Sequence, residues 1–181
     1  PGSMHGISCE TCHKIADVDE TMTNFPGIIA PAVTFNRPVD PAFHQVQYGV
    51  FGDTSFSLPG LMQASYQPQL RAEACAACHQ DKNDPDGNGN FEEPNGVISE
   101  PTYLEWKNSL YADETSSMYA DCVDCHMPPS GHDNACQIAP VLRDPTTVRS
   151  HRIEGTTPVY LENAVDLSLS VQQTPADLQV T

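Results

Sequence analysis

One pattern occurs three times in this chain: Cys9-Glu10-Thr11-Cys12-His13, Cys75-Ala76-Ala77-Cys78-His79 and Cys122-Val123-Asp124-Cys125-His126. Two thiols three positions apart can each form a thioether with one vinyl group of a single porphyrin, and the histidine that follows then meets the iron. Seven cysteines and seven histidines in 181 residues would give far fewer than one such string in random order. Disulfides and structural zinc are the other uses of paired cysteines. Zinc takes its ligands in fours, and a disulfide framework gives no reason for the histidines. The pattern therefore predicts three haem c groups, with His13, His79 and His126 as proximal iron ligands.

Three proximal ligands leave His5, His44, His132 and His151 for the opposite sides of the irons. Four spare histidines for three haems suit bis-histidine ligation, which lowers the potential and fills the position a substrate would need. Met62 is a further candidate, since a thioether also ligates haem iron and raises the potential; its other reading is gap-filling core. Any distal ligand could serve a haem in a neighbouring subunit. Cys136 has no partner at this spacing and reads as a buried apolar residue, a reactive thiol or an intermolecular disulfide.

Between the second and third motifs, Asp84, Asp86, Asn88, Asn90 and Glu92 follow the register of a calcium loop, with Gly89 at position 6 and Phe91 at position 8. Position 12 is Asn95, where a bidentate glutamate would be expected, and a solvated acidic turn is the alternative.

The elements that must hold these groups are short. Hydrophobic residues make up 39% of the chain and aromatics 7%, beside 16 Pro and 11 Gly, which is little for a core of this size. The expected fold is mainly α with extensive irregular loops, a small multihaem cytochrome organised around stacked haems, with a short C-terminal β segment. A trihaem domain spans 1–154 and a β tail 155–181. Little regular structure is expected up to residue 60, where prolines punctuate the chain. Helix is expected over 69–80, where Leu70, Ala74 and Ala77 share a face, and after a capping box of Thr102 and Glu105. There Tyr103, Trp106 and Leu110 form a stripe that faces either a haem or protein. Leu167, Leu169 and Val171, then Leu178 and Val180, alternate as two strands. Because a lone hairpin is marginal in water, those strands are expected to join a neighbouring chain or a further β-domain.

A net charge of −16 makes nucleic acid and anionic lipid poor partners. It keeps the protein soluble or steers a basic redox partner. No run approaches the roughly 20 apolar residues of a membrane span. Haem attachment of this type takes place outside the cytoplasmic membrane, so a periplasmic or extracellular protein is expected. The residues before the first motif lack the basic and apolar regions of a signal peptide, so the chain is expected to be mature or trimmed. Redox proteins or other cytochromes are the expected partners, and the β tail and spare histidines suit a homo-oligomer or filament.

Beyond the motifs, the segments HGISC at 5–9, CHKI at 12–15, QYG at 47–49, TYLEWKNS at 102–109, DCHMP at 124–128 and RSH at 149–151 resemble the exported multihaem c-type cytochromes related to cytochrome c554. The resemblance implies stacked haems serving as an electron conduit, in carriers, extracellular assemblies or larger reductases. It also implies a histidine before the second motif, where this chain has Met62. Electron transfer is the leading functional expectation. A reductase of a small nitrogen or sulfur compound, with Arg143, Arg149 or Arg152 at an open haem, is the rival.

Overall fold

A computed structural model describes residues 8–24, 32–38, 45–54, 57–58, 62–134, 141–153, 155, 158–164, 168–173 and 178–180. His5, His44 and Cys136 lie outside these residues.

In chain order the elements are α1 (Cys9–His13), β1 (Ile15–Val18), β2 (Val33–Phe35), β3 (Gln45–Gly49), β4 (Ser57–Leu58), β5 (Met62–Tyr66), α2 (Ala72–His79), β6 (Asp81–Lys82), β7 (Ile98–Glu100), α3 (Thr102–Lys107), α4 (Cys122–His126), α5 (Pro158–Ala164), β8 (Val171–Gln173) and β9 (Leu178–Val180). The expectation of a mainly α protein is wrong. Of the described residues 22% are helical and about 21% lie in strands, arranged in small sheets. Most of the strand content falls before residue 67, largely in the stretch expected to be irregular. Prolines there bound the strands instead of abolishing them, because a short strand needs only a few free N–H groups on its paired side.

β1 and β2 pair antiparallel across a bulge between Ile15 and Asp17. β5 lies between β3, to which it is parallel, and β4, to which it is antiparallel. β6 and β7 close the long loop 83–97. β8 and β9 pair with each other in register, Val171 opposite Val180. The second expected strand is β9, whereas the first begins only at Val171, with Leu169 outside any strand and Leu167 outside the described residues, and the two pair with each other; a helix, α5, that the alternating serines and leucines did not announce precedes them.

α2 is the structural centre. It is rich in alanine, the best helix former, and alanine's small side chain lets neighbours approach closely on two sides. Ala74 and Ala77 pack with Ile15 and Val33, with Leu70 against the cluster. Ala72 and Ala76, both 0% exposed, pack with Tyr103, and Trp106 and Cys122 lean on that second cluster. The first face is the one read from the helical spacing. The second answers the question about the Tyr103 stripe: its first two members face protein. α3 ends at Lys107, so Leu110 leaves the stripe and is exposed. The expected capping box at Thr102 is absent; Pro101 is the N-cap, and the Thr102 hydroxyl turns to Glu100.

Buried polar groups stitch these layers. Gln80, fully buried, donates to Asn24 Oδ1 (2.9 Å) and accepts from Leu104 N–H (3.2 Å), tying the end of α2 to the start of α3. Lys14 Nζ donates to the Val46 carbonyl at 2.9 Å, and burial lowers its pKa.

Candidate haem-attachment sites

All three Cys-x-x-Cys-His strings fold alike. Each is helical from the first cysteine or earlier, and each helix ends on the motif histidine: α1 at His13, α2 at His79, α4 at His126. In a helix, residues three and four apart lie on one face, so both thiols and the imidazole point to the same side. All six motif cysteines are free thiols. Among the described residues no set of three cysteines and histidines converges as a structural zinc site requires.

The thiols are also neighbours of one another. Cys75 is hydrogen-bonded to Cys122, which holds Cys75 protonated well above the usual thiol range and lowers the pKa of Cys122. Burial pushes the Cys12 thiol up, with Cys78 adding to it. Burial likewise raises Cys78 and Cys125. The second motif therefore lies between the first and the third, as the packing of α2 requires.

Asp121 holds two of the helices. As N-cap of α4 it accepts from Val123 N–H, while the Asp124 carboxylate accepts from Asp121 N–H (3.0 Å) in a reciprocal capping box. The Asp121 carboxylate also accepts from Ala72 N–H at the start of α2, where Arg71 offers no side-chain cap. Burial raises its pKa despite these bonds. Asp121→Ala is expected to cost about 1–2 kcal/mol, whereas Asp121→Asn keeps the acceptor and stays within about 0.5 kcal/mol of the parent. Thermal unfolding of the two variants measures the difference.

His13 is the best-defined imidazole. Its Nδ1 lies 2.6 Å from the Tyr48 carbonyl oxygen. A carbonyl can only accept, so Nδ1 carries the proton and Nε2 keeps the lone pair a metal needs. A backbone carbonyl on the far nitrogen is the usual way a metal-ligating histidine is oriented. His151 faces this ring: the two planes differ by 20° and the centroids are 5.9 Å apart. Two imidazoles that share a metal at about 2.0 Å each have centroids about 6 Å apart. The separation matches that of two imidazoles on one metal, with the His151 ring stacked toward His13 and exposed.

The chain brings His151 there by a strap. Ser130 N–H donates to the Val148 carbonyl and Ser150 N–H to the Pro128 carbonyl, both 2.8 Å, and Pro129 bridges Arg149. Arg149 binds Asp124 at 2.7 Å. The strap is therefore anchored just after the third motif while its histidine faces the first.

Of the other candidates, His79, His126 and His132 are exposed. Met62 opens β5 opposite Gln45 and is exposed as well, unlike a gap-filling core residue. Arg143 is engaged by Asp53 (2.5 Å) and the Val50 carbonyl (2.7 Å), over the Phe51 ring.

In the loop between β6 and β7 the acidic side chains mostly serve the backbone. Asp84 accepts from Gly87, Asn88 and Gly89 N–H groups, which lowers its pKa, and Asn88 accepts from Asn90 N–H. Gly87 and Gly89 have φ of +71° and +86°, a conformation in which a side chain would be strained. Glu92, expected at position 9, instead binds Asn24 outside the loop. Glu93, which the register passed over, has its carboxylate within 4.8 Å of those of Asp84 and Asp86.

Among the described residues, no helix is long and apolar enough to cross a membrane. Comparison with family models, curated proteins and solved structures finds no match to this chain.

Proposed function

We propose that this chain is a non-enzymatic electron-transfer protein that carries three covalent haem c groups and works as a carrier or conduit outside the cytoplasmic membrane. The observation that carries the reading is the common folding of the three strings, each a short helix with both thiols and the imidazole on one side. The group supplies a one-electron couple when bound; the chain supplies attachment, axial ligands and spacing.

The motif cysteines would hold the group, and the histidines that follow them would ligate its iron. The Tyr48 carbonyl fixes the tautomer of His13, and the strap presents His151 to the opposite side. The packing of α2, on one face against Ile15 beside the first string and on the other against Cys122 of the third, supports the order first to second to third. On this reading the protein stands with the exported multihaem cytochromes that its sequence resembles, and its partners are redox proteins or other cytochromes.

The reductase alternative is weaker. It needs basic groups at an open iron, and two of its three candidate arginines, Arg143 and Arg149, are each spent on a carboxylate. The test is the mass and absorbance spectrum of protein matured in a host that attaches haem. Three thioether-linked haems with a six-coordinate, low-spin spectrum are expected. A chain that emerges with free thiols sinks the proposal, and rapid carbon monoxide binding by the reduced parent would favour the reductase.

A further inference from the structure

Beside the third motif, the described surface gathers exposed apolar and acidic residues. This face is the loop 109–121, which leads from α3 into the third motif. The loop is closed on itself: Ala120 N–H donates to the Tyr111 carbonyl at 3.1 Å, and Trp106 Nε1 to the Ala120 carbonyl at 2.9 Å. Turns at 113–116 and 116–119 are hydrogen-bonded within it.

This closed loop nevertheless turns large apolar side chains outward. Leu110 is 60% exposed, Tyr111 and Met118 are 45%, and Tyr119 is 44%. An apolar patch rimmed by polar groups marks an interaction surface more often than an accident of packing. Methionine and tyrosine suit such a surface, because they adapt to or anchor against a partner at low cost.

The rim is acidic. Between residues 101 and 126 the acids are Glu105, Asp113, Glu114, Asp121 and Asp124, and Lys107 is the only lysine or arginine. Lys107 sits over the Tyr103 ring, and Arg71 nearby is held by Glu20 and Glu73. The Tyr119 hydroxyl registers this field: burial raises its pKa, with Asp121, Glu114 and Asp124 adding to it. The patch adjoins the third attachment site, since Cys122 follows Tyr119 by three residues and leans on the same cluster as Trp106.

We infer that the 109–121 face is the docking surface for a redox protein whose own contact face is apolar at the centre and lysine- or arginine-rich at the rim. The inference rests on the electron-transfer reading above, because it places the partner beside the third haem-attachment site. Acidic rim charges speed encounter and set orientation, and the exposed apolar centre provides the contact that holds the complex. A basic partner is also what the net charge of −16 favours over any acidic one.

The test uses the holoprotein and a redox-inactive, zinc-substituted, lysine-rich cytochrome c as probe. Each variant is first checked for three haems and an unchanged spectrum; a parent without haem fails the earlier proposal and not this one. Glu105→Lys with Glu114→Lys is expected to weaken binding of the probe about tenfold or more at low salt and to flatten its salt dependence. Leu110→Ser with Met118→Ser is expected to weaken binding severalfold while leaving the salt dependence as in the parent. Asp17→Lys with Glu162→Lys makes the same net change elsewhere. If that pair weakens binding as much as the rim pair, only total charge matters and the docking face is refuted. It is equally refuted if the Leu110 and Met118 changes alter the haem spectrum while binding stays unchanged, because the patch would then be haem covering.

Discussion

His151→Ala is expected to leave one of the three haems five-coordinate. The purified variant should still carry three haems but gain a high-spin absorbance component, and about one third of its reduced haem should bind carbon monoxide. The reason, on the electron-transfer proposal, is the stacking of His13 and His151, 5.9 Å between centroids and 20° between planes, together with the Tyr48 carbonyl that leaves His13 Nε2 with the lone pair a metal would need. Histidine opposite histidine favours low potentials, so loss of one ligand should also raise the potential of that haem alone. His132→Ala is the comparison. Should His151→Ala keep the parent spectrum while His132→Ala changes it, the assignment of His151 to the first motif's iron is wrong.

Ala76→Leu is expected to destabilise the protein by about 1–3 kcal/mol, the usual cost of forcing methylenes into a filled site. Ala76 is 0% exposed and lies where α2 meets Tyr103, with Trp106 and Cys122 beside it. Among its cluster neighbours, one is a ring held at 5.6 Å from the Trp106 ring, and another is the first cysteine of the third motif's helix. In a chain of this length the change amounts to a loss of roughly 2–12 °C in Tm. Val97→Leu, at an exposed position in the loop before β7, should stay within about 0.5 kcal/mol. Thermal unfolding of the holoprotein decides between them. Equal midpoints would mean that the α2–α4 seam is loose and that the thiols of the second and third motifs are not held together by packing.

The two expectations draw on different kinds of legibility. The three Cys-x-x-Cys-His strings and the alanine helix could be read directly, because residue spacing and helical periodicity are local. The spacing of Leu70, Ala74 and Ala77 likewise announced a face that the fold uses. The overall class could not be read so. Strands of two to five residues carry too little alternation to register, and those before residue 67 are stabilised by partners well separated along the chain, such as Phe35 for Ile15 and Met62 for Gln45, not by their own propensity. The same holds for Thr102, whose capping signature with Glu105 was overridden when Pro101 took the N-cap position. In the acidic loop the register pointed to Glu92, but Asn24, 68 residues away, claims that carboxylate.

By itself, then, the sequence determined that a Cys-x-x-Cys-His string occurs three times and which histidines follow the thiols, since spacing between neighbours does not wait for folding. It also determined the net charge of −16. Tertiary structure alone decided which groups meet: the second motif between the other two, His151 across from His13, Asp121 serving two helices, and Leu110 and Met118 turned outward. Those pairings depend on long-range packing and on hydrogen bonds that each donor can give only once, and neither is encoded in the spacing of adjacent residues.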